Sequence, residues 1–363
     1  MKRKEQISQE VDLMYKQLLE SMPGLCRMAV ALYEKESDVL HAFLKSPPSS
    51  TVLTHYSELL SNVPSLLAVA ESYEPRIINN TLASNSTSFH TQMLINSGVK
   101  SSFTVPLYLG DDLLGFVFFD ASQEGYFSEK IVGQLSIYTR LIEALLVMDI
   151  LPVKTLMGMV NTAKRLTGYK DAETGKHIGR VAAYVELIAT ELSTELDLSD
   201  EYIEYLWLYA PLHDIGKIAI SDDVLLKSSA LNKEEFDEMK GHVTQGIAMI
   251  EQIVDDFDFG NLHHINLLKN MIAYHHERWD GKGYPKGVQG KDIPLEGRIM
   301  AVADVFDALS SSRVYREAFS LENTFEYIAA HAEKRFDPMC VDAFLRQKDK
   351  VVEIYTRFKE RGL

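Results

Sequence analysis

The chain has 363 residues, 46% hydrophobic and 25% charged, enough for two domains to bury cores without disulfide staples. Lys and Arg number 37 and Asp and Glu 52, a formal charge of −15 that argues against a nucleic-acid polymer or an anionic membrane as the main partner. The two cysteines, Cys26 and Cys340, are too few for a disulfide framework or a thiolate zinc site. They read as buried small hydrophobes in a reducing compartment.

The opening MKRKEQISQEVDLMYKQL carries positive charge with no apolar run behind it, which predicts an amphipathic helix rather than a signal peptide. From Gly24 to Ser122 the pattern is strand-like. CRMAVALYE and VLHAFLKS flank Lys-Glu-Ser-Asp as one hairpin, and SSFTVPLYL and LLGFVFFDAS flank Gly110-Asp111-Asp112 as a second. The polar stretch Ile77 to Ser88 reads as loop. These features predict an α+β domain, an antiparallel sheet with flanking helices.

From Phe127 the apolar period changes to 3.6 residues. Ser128 is a suitable N-cap, and Ile131, Leu135, Tyr138, Ile142, Leu145 and Leu146 share one helix face. The apolar stretch Leu141 to Val153 is broken by Glu143, Asp149 and Pro152, too charged and too short to span a bilayer. No membrane insertion and a cytoplasmic location are expected. Helical patterns continue after Pro152, so residues 1–150 form the α+β domain with its connecting helix and residues 151–363 an all-α domain. The apolar faces of the N-terminal helix and of Ile131 to Leu146 predict a parallel homodimer.

Seven of the eleven histidines lie between His177 and His276. Glu173 and His177 stand four apart, on one helical face. His213-Asp214 emerges from the aromatic helix YIEYLWLYAPL, which Gly216 is placed to end. Asn232 and Glu235 form a capping box for a helix whose apolar stripe is Phe236, Met239, Val243, Gly246, Ile247 and Ile250, with His242 beside it. His275-His276-Glu277 closes the next helix, and Asp304 lies near a buried face of RIMAVADVFDAL. Each position alone has a structural explanation: a surface pair, a polar cap, a core histidine. Together they are five imidazoles and three carboxylates from one helical domain. Mixed nitrogen and oxygen donors suit iron or manganese better than calcium or magnesium, and zinc stays open although thiolates are absent.

His213-Asp214, HHERWDGKGYPKGVQGKDIP with Gly283-Tyr284-Pro285, and RIMAVADVFDALSSSRVYR occur in that order, and residues 155 to 350 resemble the HD-GYP family of cyclic di-GMP phosphodiesterases. Phe336-Asp337-Pro338 is similar to that family's terminal signature. The resemblance implies an all-α HD-GYP helical bundle with two or three transition-metal ions, iron or manganese. Their ligands would be His177, His213, Asp214, His242, His275, His276 and Asp304, with Glu173 the extra carboxylate of a three-metal site. It implies hydrolysis of cyclic di-GMP to pGpG or GMP through a water activated between metals. Asp214 and Lys217 would be catalytic, and Lys217, Tyr284, Arg313 and Arg316 would bind substrate. A mixed cyclic GMP-AMP dinucleotide is an alternative substrate, and a non-catalytic binding scaffold is an alternative function. An HD-type oxygenase is a third reading, against which Lys217, Arg313 and Arg316 weigh.

Two features depart from the family pattern. Ser228-Ser229-Ala230 stands where Pro-Gly is usual, and 32 residues separate His242 from His275, including the pair His263-His264, read as loop histidines. The N-terminal half resembles a GAF domain through FTVPLYLGDDLLGFVFFDAS, which implies a sensor whose ligand no residue selects. Cys26 there reads as a strand residue rather than a chromophore or haem ligand.

Overall fold

The computed structural model describes residues 7–35, 38–47, 57–83, 89–166, 175–257, 264–311 and 318–360. Both hairpins form. β1 (Leu25–Glu34) pairs with β2 (Val39–Ser46), and β5 (Ser101–Leu109) pairs with β6 (Asp112–Ala121), each antiparallel. Short strands β3 (Ser57–Leu59) and β4 (Arg76–Ile78) extend the sheet to the order β3-β2-β1-β6-β5-β4. The stretch expected as loop thus begins inside a strand, because Arg76 to Ile78 pair with Thr104 to Ser102 of β5.

Alternation along the strands gives the sheet two apolar faces. Ala29, Ala31, Phe116 and Phe118 of β1 and β6 pack with Leu66 and Val69 of α2 (Pro64–Ser72). α1 (Ile7–Ser21) lies against β1 and β2, and Asp12 accepts a 2.9 Å hydrogen bond from Ser46. Half-buried Cys26 packs beside Val99 and Leu94, the latter on α3 (Phe89–Asn96). Burial and the nearby Asp120 carboxylate lift its thiol to about 11, so it stays protonated and behaves as a strand hydrophobe.

α4 (Glu129–Leu166) starts directly after Ser128, whose carbonyl accepts from Val132, and continues through Pro152. The stripe expected to form a dimer is largely inside its own chain, since Leu135, Ile142 and Leu146 have no exposed surface. The exposed apolar residues lie on a neighbouring strip: Ile137 at 61%, Leu141 at 49%, Met148 at 76% and Leu151 at 41%. By internal contacts the chain parts into two units, Met1–Leu151 and Pro152–Leu363.

Among the described residues the second unit is helical apart from one isolated bridge between Ala332 and Phe336. Its centre is α5 (Gly175–Leu196), whose Val181, Val185, Ile188 and Leu192 recur at helical spacing and are buried. α6 (Asp200–Tyr209) packs on α5 and leads through 3₁₀ turns into α7 (Asp222–Leu225) and α8 (Lys233–Asp256). α9 (Ile265–Tyr274) and α10 (Leu295–Ser310) follow, then α11 (Leu321–Ala330), α12 (Pro338–Arg346) and α13 (Lys348–Glu360). Tyr184, Phe306, Phe325 and Phe344 interlock α5, α10, α11 and α12, with ring centroids 4.8 to 5.9 Å apart. The Phe336-Asp337-Pro338 triplet serves this packing. Asp337 caps α12 by accepting from Met339 and pairs with Arg298 of α10 at 2.5 Å.

The Asn232–Glu235 capping box is present on α8, but Phe236 is 46% exposed and outside the apolar stripe expected to hold it. Gly216 does not end a helix. It lies inside the 3₁₀ turn Ile215–Ala219, pressed so closely on α8 that a Cβ would stand 1.9 Å from the His242 carbonyl oxygen. This backbone contact brings the chain just after Asp214 against the turn of α8 that carries His242. Gly216→Ala should therefore force the two segments apart and lower stability by about 1–3 kcal/mol. Denaturant unfolding of the variant beside wild type measures it, and equal midpoints would refute the close-approach account.

Candidate metal centre

Five segments of the second unit converge on one buried place. His177 sits in the first turn of α5, His213 and Asp214 in the turn after α6, His242 within α8, His275 and His276 just past α9, and Asp304 within α10. All are buried except His276, which is partly so. Their donor atoms fall into two groups, Asp214 with His242, His275 and His276, and His177 with His213 and Asp304. Within each group the donor atoms lie within 4.8 Å of one another. The His213 and His275 rings, 5.2 Å apart, link the groups.

Asp214 faces both ways. Its Oδ1 lies 3.3 Å from His242 Nε2 and 3.6 Å from His275 Nε2, and its Oδ2 lies 3.1 Å from His213 Nε2 and 2.8 Å from Lys217 Nζ. Burial disfavours its charge, but the Lys217 ammonium outweighs burial and holds the carboxyl well below the usual carboxylate range. It is ionised at neutral pH.

The hydrogen bonds at the far side of each ring fix which nitrogen faces inward. Nδ1 of His213 donates to the Ala210 carbonyl at 2.8 Å, that of His242 to Met239 at 2.6 Å, and that of His275 to Met271 at 3.0 Å. Each carbonyl only accepts, so Nδ1 carries the proton, and in the neutral ring Nε2 then presents a lone pair to the centre. Burial, with neighbouring imidazoles, lowers the pKa of His242 and takes that of His276 well below its ordinary value, which keeps both neutral. The Nε2 atoms of His242 and His275 approach to 3.4 Å, and Asp214 Oδ1 faces both without a hydrogen bond. Acceptors facing acceptors repel. A cation between them removes the repulsion, and 3.4 Å is about the spacing of adjacent ligands around an ion with bonds of roughly 2.1 Å. The donor set therefore fits transition-metal ions.

Three residues of this region were given no role by the sequence reading. Asp307, fully buried, accepts from His177 Nδ1 at 2.6 Å and from Arg180 at 2.5 and 2.8 Å. Burial alone would raise its pKa, but Arg180 and His177 pull it down. It orients the His177 ring as a carboxylate behind a ligating imidazole does. The signal was in the spacing: Arg180 follows His177 by three residues and Asp307 follows Asp304 by three, each pair on one face of an apolar helix. Glu277, the third, is buried directly after His276.

The remaining expected residues divide. Lys217 reaches Asp214, and the Tyr284 ring lies over His276 with centroids 4.7 Å apart. Glu173, Arg313 and Arg316 lie outside the described residues, as does His263. His264 is no part of either donor group. It precedes α9 with its ring 4.6 Å from Tyr205 and its Nε2 3.4 Å from Glu201.

The HD domain model matches residues 157–340. The chain belongs to the HD domain family. A cyclic di-GMP phosphodiesterase of Vibrio cholerae is 43% identical over 198 residues, covering 53% of this chain and 39% of that protein. A 3'3'-cGAMP-specific phosphodiesterase 2 of the same organism is 36% identical, covering 51% of this chain and 33% of that protein. The chain thus matches less than half the length of either relative, and both matches cover about the HD domain's share of it. A phycocyanobilin-bound GAF domain from a cyanobacterial phytochrome covers 41% of this chain and 88% of its own at 13% identity and a TM-score of 0.33.

Removing the carboxylate behind His177 tests how the HD domain holds this donor set. Asp307→Ala leaves Arg180 buried without its partner and should lower stability by about 3–5 kcal/mol. Loss of a kilocalorie or less in chemical denaturation would show that the pair is expendable.

Proposed function

We propose that the chain is a metal-dependent phosphodiesterase that hydrolyses cyclic di-GMP to pGpG or GMP. The observation that carries the reading is Asp214, one ionised carboxylate between two sets of inward-facing nitrogen and oxygen donors. The family and the relatives named for cyclic dinucleotide phosphodiesterases support it. His242, His275 and His276 with Asp214 form one ligand group, and His177, His213 and Asp304 with Asp214 the other. We assign iron or manganese to these positions. Bound ions supply an activated water nucleophile and neutralise phosphoryl charge.

The chain's own groups do the rest. Asp214 ties the two groups together. Lys217, an ammonium 2.8 Å from that carboxylate, is placed to donate to a non-bridging phosphate oxygen or to protonate the leaving oxygen. The Tyr284 phenol has its pKa raised by burial and by the charges of Asp214 and Asp304, so it remains a hydrogen-bond donor beside the phosphate. Arg313 and Arg316 supply forks for phosphate or a guanine edge, and Glu173 a ligand for a third ion.

Elemental analysis of protein purified anaerobically with iron should find at least two transition metals per chain, and less than one would sink the assignment. Glu173→Ala should lower the metal content while leaving a two-metal core. Asp214→Ala should reduce hydrolysis at least about a thousandfold, whereas Arg313→Ala should chiefly raise KM. Cyclic di-GMP and the mixed cyclic GMP-AMP dinucleotide assayed side by side decide between the two substrates. Binding of either without hydrolysis under any metal would leave a scaffold in place of an enzyme.

The N-terminal domain is read as a GAF-like regulator in a cytoplasmic protein. No helix among the described residues is long and apolar enough to cross a membrane. The homodimer is assigned to Ile137, Leu141, Met148 and Leu151 of α4, whose spacings of four, seven and three residues match a coiled-coil seam. Light scattering should give a dimer for wild type and a monomer for the double variant Leu141→Glu, Met148→Glu. A monomeric wild type at micromolar concentration would refute the seam.

A further inference from the structure

The loop Gly281 to Gly290 folds back on the residues that precede it. Gly283 lies so close to them that a Cβ would stand 2.4 Å from the Arg278 nitrogen and 2.6 Å from the His276 carbonyl oxygen. On one side of Tyr284 the loop is tied by its own N–H, which donates to the His276 carbonyl at 3.2 Å. On the other side the tie is Glu277. Its Oε1 accepts from the Lys286 N–H at 2.7 Å and from the Gly287 N–H at 3.1 Å. The residue is 3% exposed, and its Oε2 has no hydrogen-bond partner.

A buried carboxylate bound by backbone N–H groups is a strong, directional clamp, because each bond is charge-assisted and shielded from water. Between the two ties sits Tyr284, its ring 4.7 Å from His276 at an interplanar angle of 32° and 6.4 Å from Phe236. With both flanks fixed, the backbone that carries the ring is held in place. Glu277 itself lies next to a residue of the donor set, yet its bonded oxygen is committed to the loop.

We propose that Glu277 is a positioning residue for substrate: its carboxylate, bound to the Lys286 and Gly287 N–H groups, holds Tyr284 against His276 and so sets the wall that receives the dinucleotide. The inference rests on the phosphodiesterase reading for the identity of the substrate. It predicts that Glu277 acts through Tyr284 and not through the metals.

The full-length protein is compared with Glu277→Ala, Glu277→Gln, Tyr284→Ala and the double variant Glu277→Ala, Tyr284→Ala. Amide hydrogen exchange of Lys286 and Gly287, read without substrate, should accelerate at least tenfold in Glu277→Ala. It should stay within threefold of wild type in Glu277→Gln, whose amide oxygen can still accept. With cyclic di-GMP, Glu277→Ala should raise KM at least tenfold with kcat within threefold and metal content unchanged. On the Tyr284→Ala background the same change should move KM less than twofold. Unchanged exchange overturns the clamp whether or not the chain is an enzyme. Additive effects on KM, or loss of metal from Glu277→Ala, overturn its action through Tyr284. A wild type that hydrolyses no cyclic dinucleotide sinks the phosphodiesterase reading, and the assignment to substrate with it. If Glu277→Ala fails to fold, Glu277→Gln decides: exchange accelerated tenfold with folding intact overturns the proposal, and near-wild-type exchange and KM support it.

Discussion

The donor residues of the helical half are held together against their mutual repulsion. Inward-facing imidazole nitrogens crowd one another and an ionised carboxylate, in a place from which water is largely excluded. Charge burial of this kind is unfavourable unless opposite charge accompanies it, and Lys217 compensates only one oxygen of Asp214. The fold holds the arrangement from outside. Backbone carbonyls hold the far nitrogens of His213, His242 and His275, and Asp307 holds that of His177. The rings are oriented by the helices that bear them, and the apolar packing of α5 on its neighbours supplies the energy that keeps them there.

How much of this could be read from the chain depended on range. Local signals came through. The two hairpins, the capping box of α8 and the helix after Ser128 all rest on chemistry within a few residues. The ligand-type residues were also visible, because imidazoles and carboxylates clustered at the ends and faces of apolar helices ask for a partner. The misreadings came where tertiary contact decides. Gly216 looked like a helix stop, and only the approach of α8 shows that it is a packing glycine. Leu135, Ile142 and Leu146 looked like an interface because a helix face announces that it is apolar but not what covers it.

The residues behind the donor side chains were harder still. Asp307 and Arg180 each look like ordinary charged residues on amphipathic helices, and their pairing spans 127 positions of sequence. Asp337 gave a motif without a role, and its work turned out to be capping α12 and anchoring α10. A signature can thus report a folding constraint as readily as a chemical one, and position relative to the donor atoms distinguishes the two.

The close approach of His242 and His275 has a consequence for the life of the protein in a cell. Two ring nitrogens held 3.4 Å apart, each ring bonded outward through its Nδ1, form a place where a bound ion would relieve repulsion. An ion that binds the folded chain and not the unfolded one shifts the folding equilibrium in proportion to the logarithm of its free concentration. Unfolded molecules are the ones that proteases remove, so a few kilocalories per mole of such linkage alters abundance several-fold. Metal supply would then set how many copies of the protein survive, and scarcity would thin the population before any single molecule lost its chemistry.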